Sequence, residues 1–138
     1  MKSTEDLIRH FVASFESKDA RWLGTFFHED ILFANYGDPE VRGKAKVVKA
    51  WEHAFSMFDT VRFETLNQAI NGSIVLAEQF HHLALKGRES APIRNMALYE
   101  MRDGRIGVWR HFTDSKYAKQ LFEATKPIAS DIGVGATP

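Results

Sequence analysis

Three helical periodicities followed by four period-two segments predict a single α+β domain, with helices covering one face of a curved antiparallel sheet. Two further observations support this class. The chain's 138 residues suit one domain with one core and are too few for two independent ones. The period-two segments are joined by short turn sequences, so they must run as an antiparallel meander.

The elements follow in order. Leu7, Ile8, Phe11, Val12 and Phe15 recur at three- and four-residue steps, with charges opposite, which predicts an amphipathic helix over 3–15. Ser3 or Thr4 can cap it, and Glu5 and Asp6 suit its positive end. A shorter helix is expected over 19–26, with Trp22, Leu23 and Phe26 as its buried stripe. Residues 31–35 read as a short strand, ended by the turn residues Tyr36-Gly37-Asp38-Pro39. A third helix over 44–58 presents Val47, Val48, Trp51, Ala54, Phe55 and Phe58 on one side. Strands are predicted over 61–70, 74–86, 93–101 and 105–113, separated by Asn71-Gly72, Gly87 to Ala91, and Asp103-Gly104. A last helix, 115–124, precedes a segment whose glycines and prolines argue against packed helix, giving a domain over 1–126 and a tail over 127–138.

Composition excludes several functions. Eighteen basic residues balance eighteen acidic ones, so no net field draws the molecule to nucleic acid or an anionic membrane. There is no cysteine, hence no disulfide or thiolate chemistry. The amino end is acidic and amphipathic, and no run approaches ~20 apolar residues. A soluble, cytoplasmic protein is expected. No phosphate-binding glycine loop, serine elbow or metal-ligand spacing occurs, so neither a metal nor an organic cofactor is expected.

Candidate residues emerge from strand parity. In 74–86 one row holds Val75, Ala77, Gln79, His81, Leu83 and Leu85, where Gln79 and His81 interrupt an apolar face. If that row faces a pocket, His81 can exchange protons near neutral pH and Gln79 can orient a water or carbonyl oxygen; otherwise His81 is a half-buried, hydrogen-bonded histidine. Taking Asp103-Gly104 as a two-residue turn, and absent a bulge, one face carries Asn95, Ala97, Tyr99, Val108, Arg110, Phe112 and Asp114. The opposite face carries Met96, Leu98, Trp109 and His111 and, with Phe80, is expected to pair with a second copy of the chain as a homodimer. Asp114 would be a partly desolvated acid or base on the pocket face, or else a cap for the last helix or a partner of Arg110. Tyr99 and Arg110 share its face as secondary candidates, Asn35 closes the first strand, and Trp22 and Trp51 could line the pocket from helical stripes.

HFVASFESKDARWLGTFFHEDILFAN at the front, Arg42-Gly43 before the third helix, the Asp-Gly-Arg-Ile hairpin, and a tryptophan followed by an aspartate at the last helix carry a family resemblance. Over roughly residues 4–122 the chain resembles the SnoaL-like and limonene-epoxide-hydrolase-like branches of the NTF2-like superfamily, to which ketosteroid isomerases also belong. The resemblance implies a cone-shaped fold, with about three N-terminal helices on the concave face of the sheet and a short C-terminal helix. It also implies one pocket for a small apolar ligand. Asp114 falls where these enzymes place a catalytic acid or base, and Asn35 where the epoxide hydrolases hold a water. Phe33, Gln79 and His81 replace the tyrosine, arginine and aspartate of those hydrolases. The expectation is therefore a cofactor-independent isomerase or cyclase acting on a small apolar carbonyl compound, with Asp114 and His81 moving the proton and Gln79, Asn35, Tyr99, Arg110, Phe33, Trp22 and Trp51 binding substrate. A non-catalytic binding or interaction module, or a hydrolase using Asn35, His81 and Asp114, are the alternatives.

Overall fold

The computed structural model describes residues 3–128. Helix α1 (Thr4–Ser14) starts at Ser3, whose hydroxyl accepts the Asp6 amide, and runs into a single 3-10 turn, Phe15–Ser17. Helix α2 (Ala20–Gly24) is capped by Asp19 and helix α3 spans Lys44–Ser56. Strands β1 (Phe27–Asn35) and β2 (Val41–Arg42) precede or follow the helices, and β3 (Phe58–Asn71), β4 (Ile74–Leu85), β5 (Ser90–Arg102) and β6 (Arg105–Phe112) form the meander. Helix α4 (Ser115–Ala124) closes the described fold. The strand order is β2-β1-β6-β5-β4-β3, a curved mixed sheet in which β1 runs parallel to β6 and every other pair is antiparallel.

The parallel pairing places Phe33 beside Trp109 and Asn35 beside His111, joining two parts of the chain far apart in sequence. Helices α1 and α3 cover the inner face. Phe11 meets Trp109 edge-on at 5.0 Å, while Trp51 stacks on Trp109 at 5.2 Å and Phe15 on Phe63 at 3.9 Å. Contacts of this kind add roughly 0.5–1.5 kcal/mol per pair beyond the area buried, so the aromatic cluster fixes how the helices sit on the sheet.

One residue decides which side chains face that cluster. Asp103 and Gly104 both adopt positive φ, as a two-residue primed turn requires, and Met101 pairs with Ile106 as the sequence predicts. Gly107 then has no partner, and Glu100 pairs with Val108. This is a β-bulge, and it reverses the alternation on the rest of β6. Trp109 and His111 therefore point inward, at 0 % and 3 % exposure, whereas Arg110 and Phe112 lie opposite Leu98 and Met96 on the outer face. The expected inward Val108, Arg110, Phe112 and Asp114, and the expected outward Trp109 and His111, are corrected accordingly. A second bulge at Leu66 interrupts the pairing of β3 with β4.

One other expectation changes. Trp22 is about half exposed at 48 %, because a five-residue helix buries Leu23 and turns its neighbour to water. The segment after α4 also stays engaged with the β4–β5 turn. Glu89 donates its amide to the Lys126 carbonyl, Ile128 donates to Gly87, and Arg88 holds Thr125. The remainder of the predicted tail, 129–138, lies outside the described residues. Among those described, no helix is long and apolar enough to cross a membrane.

Candidate functional site

A cavity of about 570 Å³ opens between α3, the inner face of the sheet and α4. Trp51, Ala54 and Met57 form one wall, Phe63, Leu83 and Ile93 another, and Ala118 and Phe122 of α4 cover it. Asn35, Asp38, Lys119 and Glu123 stand at its mouth, and His81 and His111 contribute the buried polar groups of its floor. Its size suits a small organic molecule.

Strand register builds the floor. His81 lies between Phe63 of β3 and Ile93 of β5, and its ring stacks on Phe63 with centroids 3.5 Å apart. His111 lies opposite Ala97, whose small side chain leaves the ring room, and its centroid is 4.9 Å from that of His81. The hydrogen bonds of the two rings differ in sense. Trp109 Nε1 donates to His111 Nε2 at 2.8 Å. An indole can only donate, so Nε2 of His111 is the bare nitrogen and the neutral ring carries its proton on Nδ1. Gln79 turns its amide nitrogen toward the Tyr99 hydroxyl, at 3.2 Å, and its oxygen toward His81 Nε2, at 2.8 Å. With the amide in this orientation its oxygen accepts from His81 Nε2–H, which leaves the lone pair on Nδ1. Neither Nδ1 has a protein partner among the described residues.

Burial sets the charge state. It lowers the pKa of His111 to about 3. For His81 burial is again the main cause, with His111 and His82 adding to it, and the value falls well below the ordinary histidine range. Both rings are neutral at physiological pH. Burial pushes the Tyr99 phenol up, against the bond from Gln79, so its hydroxyl stays protonated. Two polar atoms near the floor lack protein partners among the described residues: Trp51 Nε1 and Asn95 Nδ2, although Thr113 donates to Asn95 Oδ1 at 2.6 Å. No three histidine, aspartate or glutamate side chains converge as a metal set among the described residues.

The predicted site residues divide into three groups. His81, Asn35 and Trp51 meet at the cavity, and Phe33 lines an adjoining recess of about 200 Å³ together with Asn35 and Trp51. Gln79 and Tyr99 are fully buried beneath His81 and support it rather than line the cavity. Asp114, Arg110 and Trp22 are not brought to the cavity. Asp114 is exposed and its carboxylate accepts the amides of Lys116 and Tyr117, which makes it the cap of α4. A water shared by Asn35, His81 and Asp114 has no place in this arrangement. His111 is the residue that sequence reasoning misplaced. The signal was Gly107, an isolated glycine within a strand pattern, which marks bulges.

The comparisons with known proteins agree with this architecture. A ketosteroid isomerase-like protein of Catenulispora acidiphila, solved in complex with trimethylamine, is 15% identical over 99% of this chain and 100% of its own, with a TM-score of 0.80. An epoxide hydrolase of M. tuberculosis resembling limonene-epoxide hydrolase is 21% identical over 86% of this chain and 88% of its own, with a TM-score of 0.71. A Shewanella putrefaciens protein described as a SnoaL-like polyketide cyclase is 14% identical over 89% and 98%, with a TM-score of 0.76. At these identities the likeness shows the fold, which is NTF2-like. The SnoaL-like domain model matches residues 8–109, well over half of the sequence and all of the inner face as far as Trp109, and the chain belongs to that family.

Proposed function

We propose that this protein binds a small, mainly apolar carbonyl compound in the cavity and moves a proton on it, as an isomerase or cyclase would. The observation that carries the reading is the pair of neutral imidazoles on the floor, one offering a lone pair and the other an N–H. His81 Nδ1 takes a proton from the carbon next to the carbonyl. His111 Nδ1–H donates to the carbonyl oxygen as negative charge gathers there. Return of the proton at another carbon completes an isomerisation; attack of the enolate on a second carbonyl forms the ring bond and an alkoxide, and transfer of the proton from His81 to that alkoxide completes a ring closure. A histidine with a lowered pKa is always in its basic form but is a weak base, so the substrate must have an acidified C–H. A protein of the same fold described as a SnoaL-like polyketide cyclase supports this reaction class.

The test is exchange of α-hydrogens in D₂O, followed by proton NMR on 2-tetralone and a 1,3-diketone. Catalysed exchange should fall ~10²-fold in His81→Gln, the loss typical of a removed general base. No exchange above the buffer rate for either compound, or full exchange in the variant, would reject the catalytic reading.

We also propose that the outer sheet face joins two copies of the chain. Leu76, Met96 and Phe112 are each close to half exposed there, at 45 %, 45 % and 46 %, with Leu98 and Phe80 beside them. Sedimentation at micromolar concentration should give a dimer in the wild type and a monomer in Met96→Glu. A wild-type monomer would refute this.

A further inference from the structure

Resting on the reading of the cavity floor just given, we infer that the site selects a neutral functional group with a hydrogen-bond donor and an acceptor on adjacent positions, such as a primary amide, a hydroxy-ketone or a protonated carboxylic acid. Two partners that lie outside the cavity, Trp109 and Gln79, set the pattern. Trp109 can only donate, and Gln79 with its oxygen toward His81 accepts, so this orientation holds His111 and His81 in opposite tautomers. The free nitrogens then form one donor, His111 Nδ1–H, and one acceptor, His81 Nδ1. Because the ring centroids are 4.9 Å apart, two heteroatoms of one functional group can meet both, without a ligand long enough to bridge the cavity.

The surroundings sharpen the selection. The floor is enclosed by Trp51, Phe63 and Ile93, and the charged side chains that line the cavity, Asp38, Lys119 and Glu123, are all exposed. A carboxylate placed between the imidazoles would meet one N–H and one lone pair, leaving an acceptor facing an acceptor. A quaternary ammonium would satisfy neither nitrogen. A plain ketone would use only the donor. Each unmatched buried group costs roughly 1–3 kcal/mol, so a matched ligand gains about tenfold or more over a singly matched one. Trp51, whose Nε1 lacks a protein partner, stands at the same wall and reports occupancy through its fluorescence.

Two measurements on the full chain test the inference. Nitrogen-15 NMR of the imidazoles in the unliganded wild type should show His81 as the Nε2–H tautomer and His111 as the Nδ1–H tautomer. Finding the same tautomer at both positions would overturn it. Calorimetric titration at pH 7.5 should then rank four probes of similar shape: benzamide about tenfold or more tighter than acetophenone, and benzoate and benzyltrimethylammonium weaker than benzamide by at least as much. In His81→Phe the advantage of benzamide over acetophenone should fall to about threefold or less. Equal binding of the neutral and charged probes, or no benzamide binding at millimolar concentration, would refute the inference. The benzamide preference without any hydrogen exchange on carbonyl compounds would uphold it while rejecting the proposed catalysis.

Discussion

His81 and His82 are neighbours in the chain and occupy different chemical worlds. His81 faces inward at 5 % exposure, stacked on Phe63 and bonded to a neutral amide, and burial keeps it uncharged. His82 faces outward and meets the Glu64 carboxylate at 2.8 Å across the β3–β4 ladder, where water still reaches the pair. The same contrast holds for the whole sheet. Among the described residues the buried polarity of the inner face comes from neutral groups such as Gln79, Asn95 and the two imidazoles, while the outer face mixes exposed leucine, methionine and phenylalanine with ordinary surface charges. Half a strand period, about 3.3 Å of chain, separates a group tuned by desolvation from one that shares a water-accessible hydrogen bond with a carboxylate.

The largest expected effect breaks the inner side. Trp109→Ala removes the ring that Trp51, Phe33 and Phe11 pack against, and should destabilise the fold by ~3–5 kcal/mol in urea unfolding. Leu76→Ala on the outer face should cost under about 1 kcal/mol in the monomer, and an equal cost at both sites would undo the contrast.

Acid should next expose the difference between the two histidine environments. A histidine whose folded pKa lies below its unfolded value of 6.5 binds more protons when unfolded. Its contribution to stability is complete above that unfolded value and is lost as the pH falls toward the folded one. His111 should therefore withdraw about 1.4 kcal/mol per pH unit below 6.5, down to about 3, and His81 should act in the same direction. Melting curves taken between pH 7 and 4.5 should show this slope reduced in His111→Gln, and an unchanged slope in that variant would count against it.

The smallest effect concerns Asp114. As the cap of α4 it should lose about 1 kcal/mol on Asp114→Ala and little on Asp114→Asn, with hydrogen exchange on carbonyl substrates unchanged in the asparagine variant. A ~10²-fold fall in that exchange would return Asp114 to the chemistry.

Much of this was legible in advance, wherever local periodicity decides the outcome. The alternation in β4 places Gln79 and His81 inward, the Asp103-Gly104 turn forms with both residues at positive φ, and α4 spans the residues its pattern predicts. Two kinds of information were not local. The parallel docking of β1 on β6, which sets Asn35 beside His111, joins segments whose sequences do not signal one another. The unpaired Gly107 changes a count rather than a propensity, and every assignment that counted through it, from Val108 to Asp114, came out on the wrong side. Trp22 failed for a third reason: one turn of helix is too short to bury three bulky residues together.

The bulge also gives β6 a signature in any saturation mutagenesis. Tolerance along an ordinary strand swings between permissive and restrictive with fixed parity. Here the swing must slip by one step: Ile106 is intolerant on the even count, then Trp109 and His111 on the odd, with Arg110 and Phe112 permissive between and after them. A one-residue deletion at Gly107 removes only the unpaired residue and leaves Ile106 opposite Met101, Val108 opposite Glu100 and Trp109 opposite Tyr99, so it should keep every later side chain of β6 on its present face. An insertion between Val108 and Trp109 should be the damaging change, since it would set Trp109 opposite Leu98 and turn the indole and His111 to the outer face.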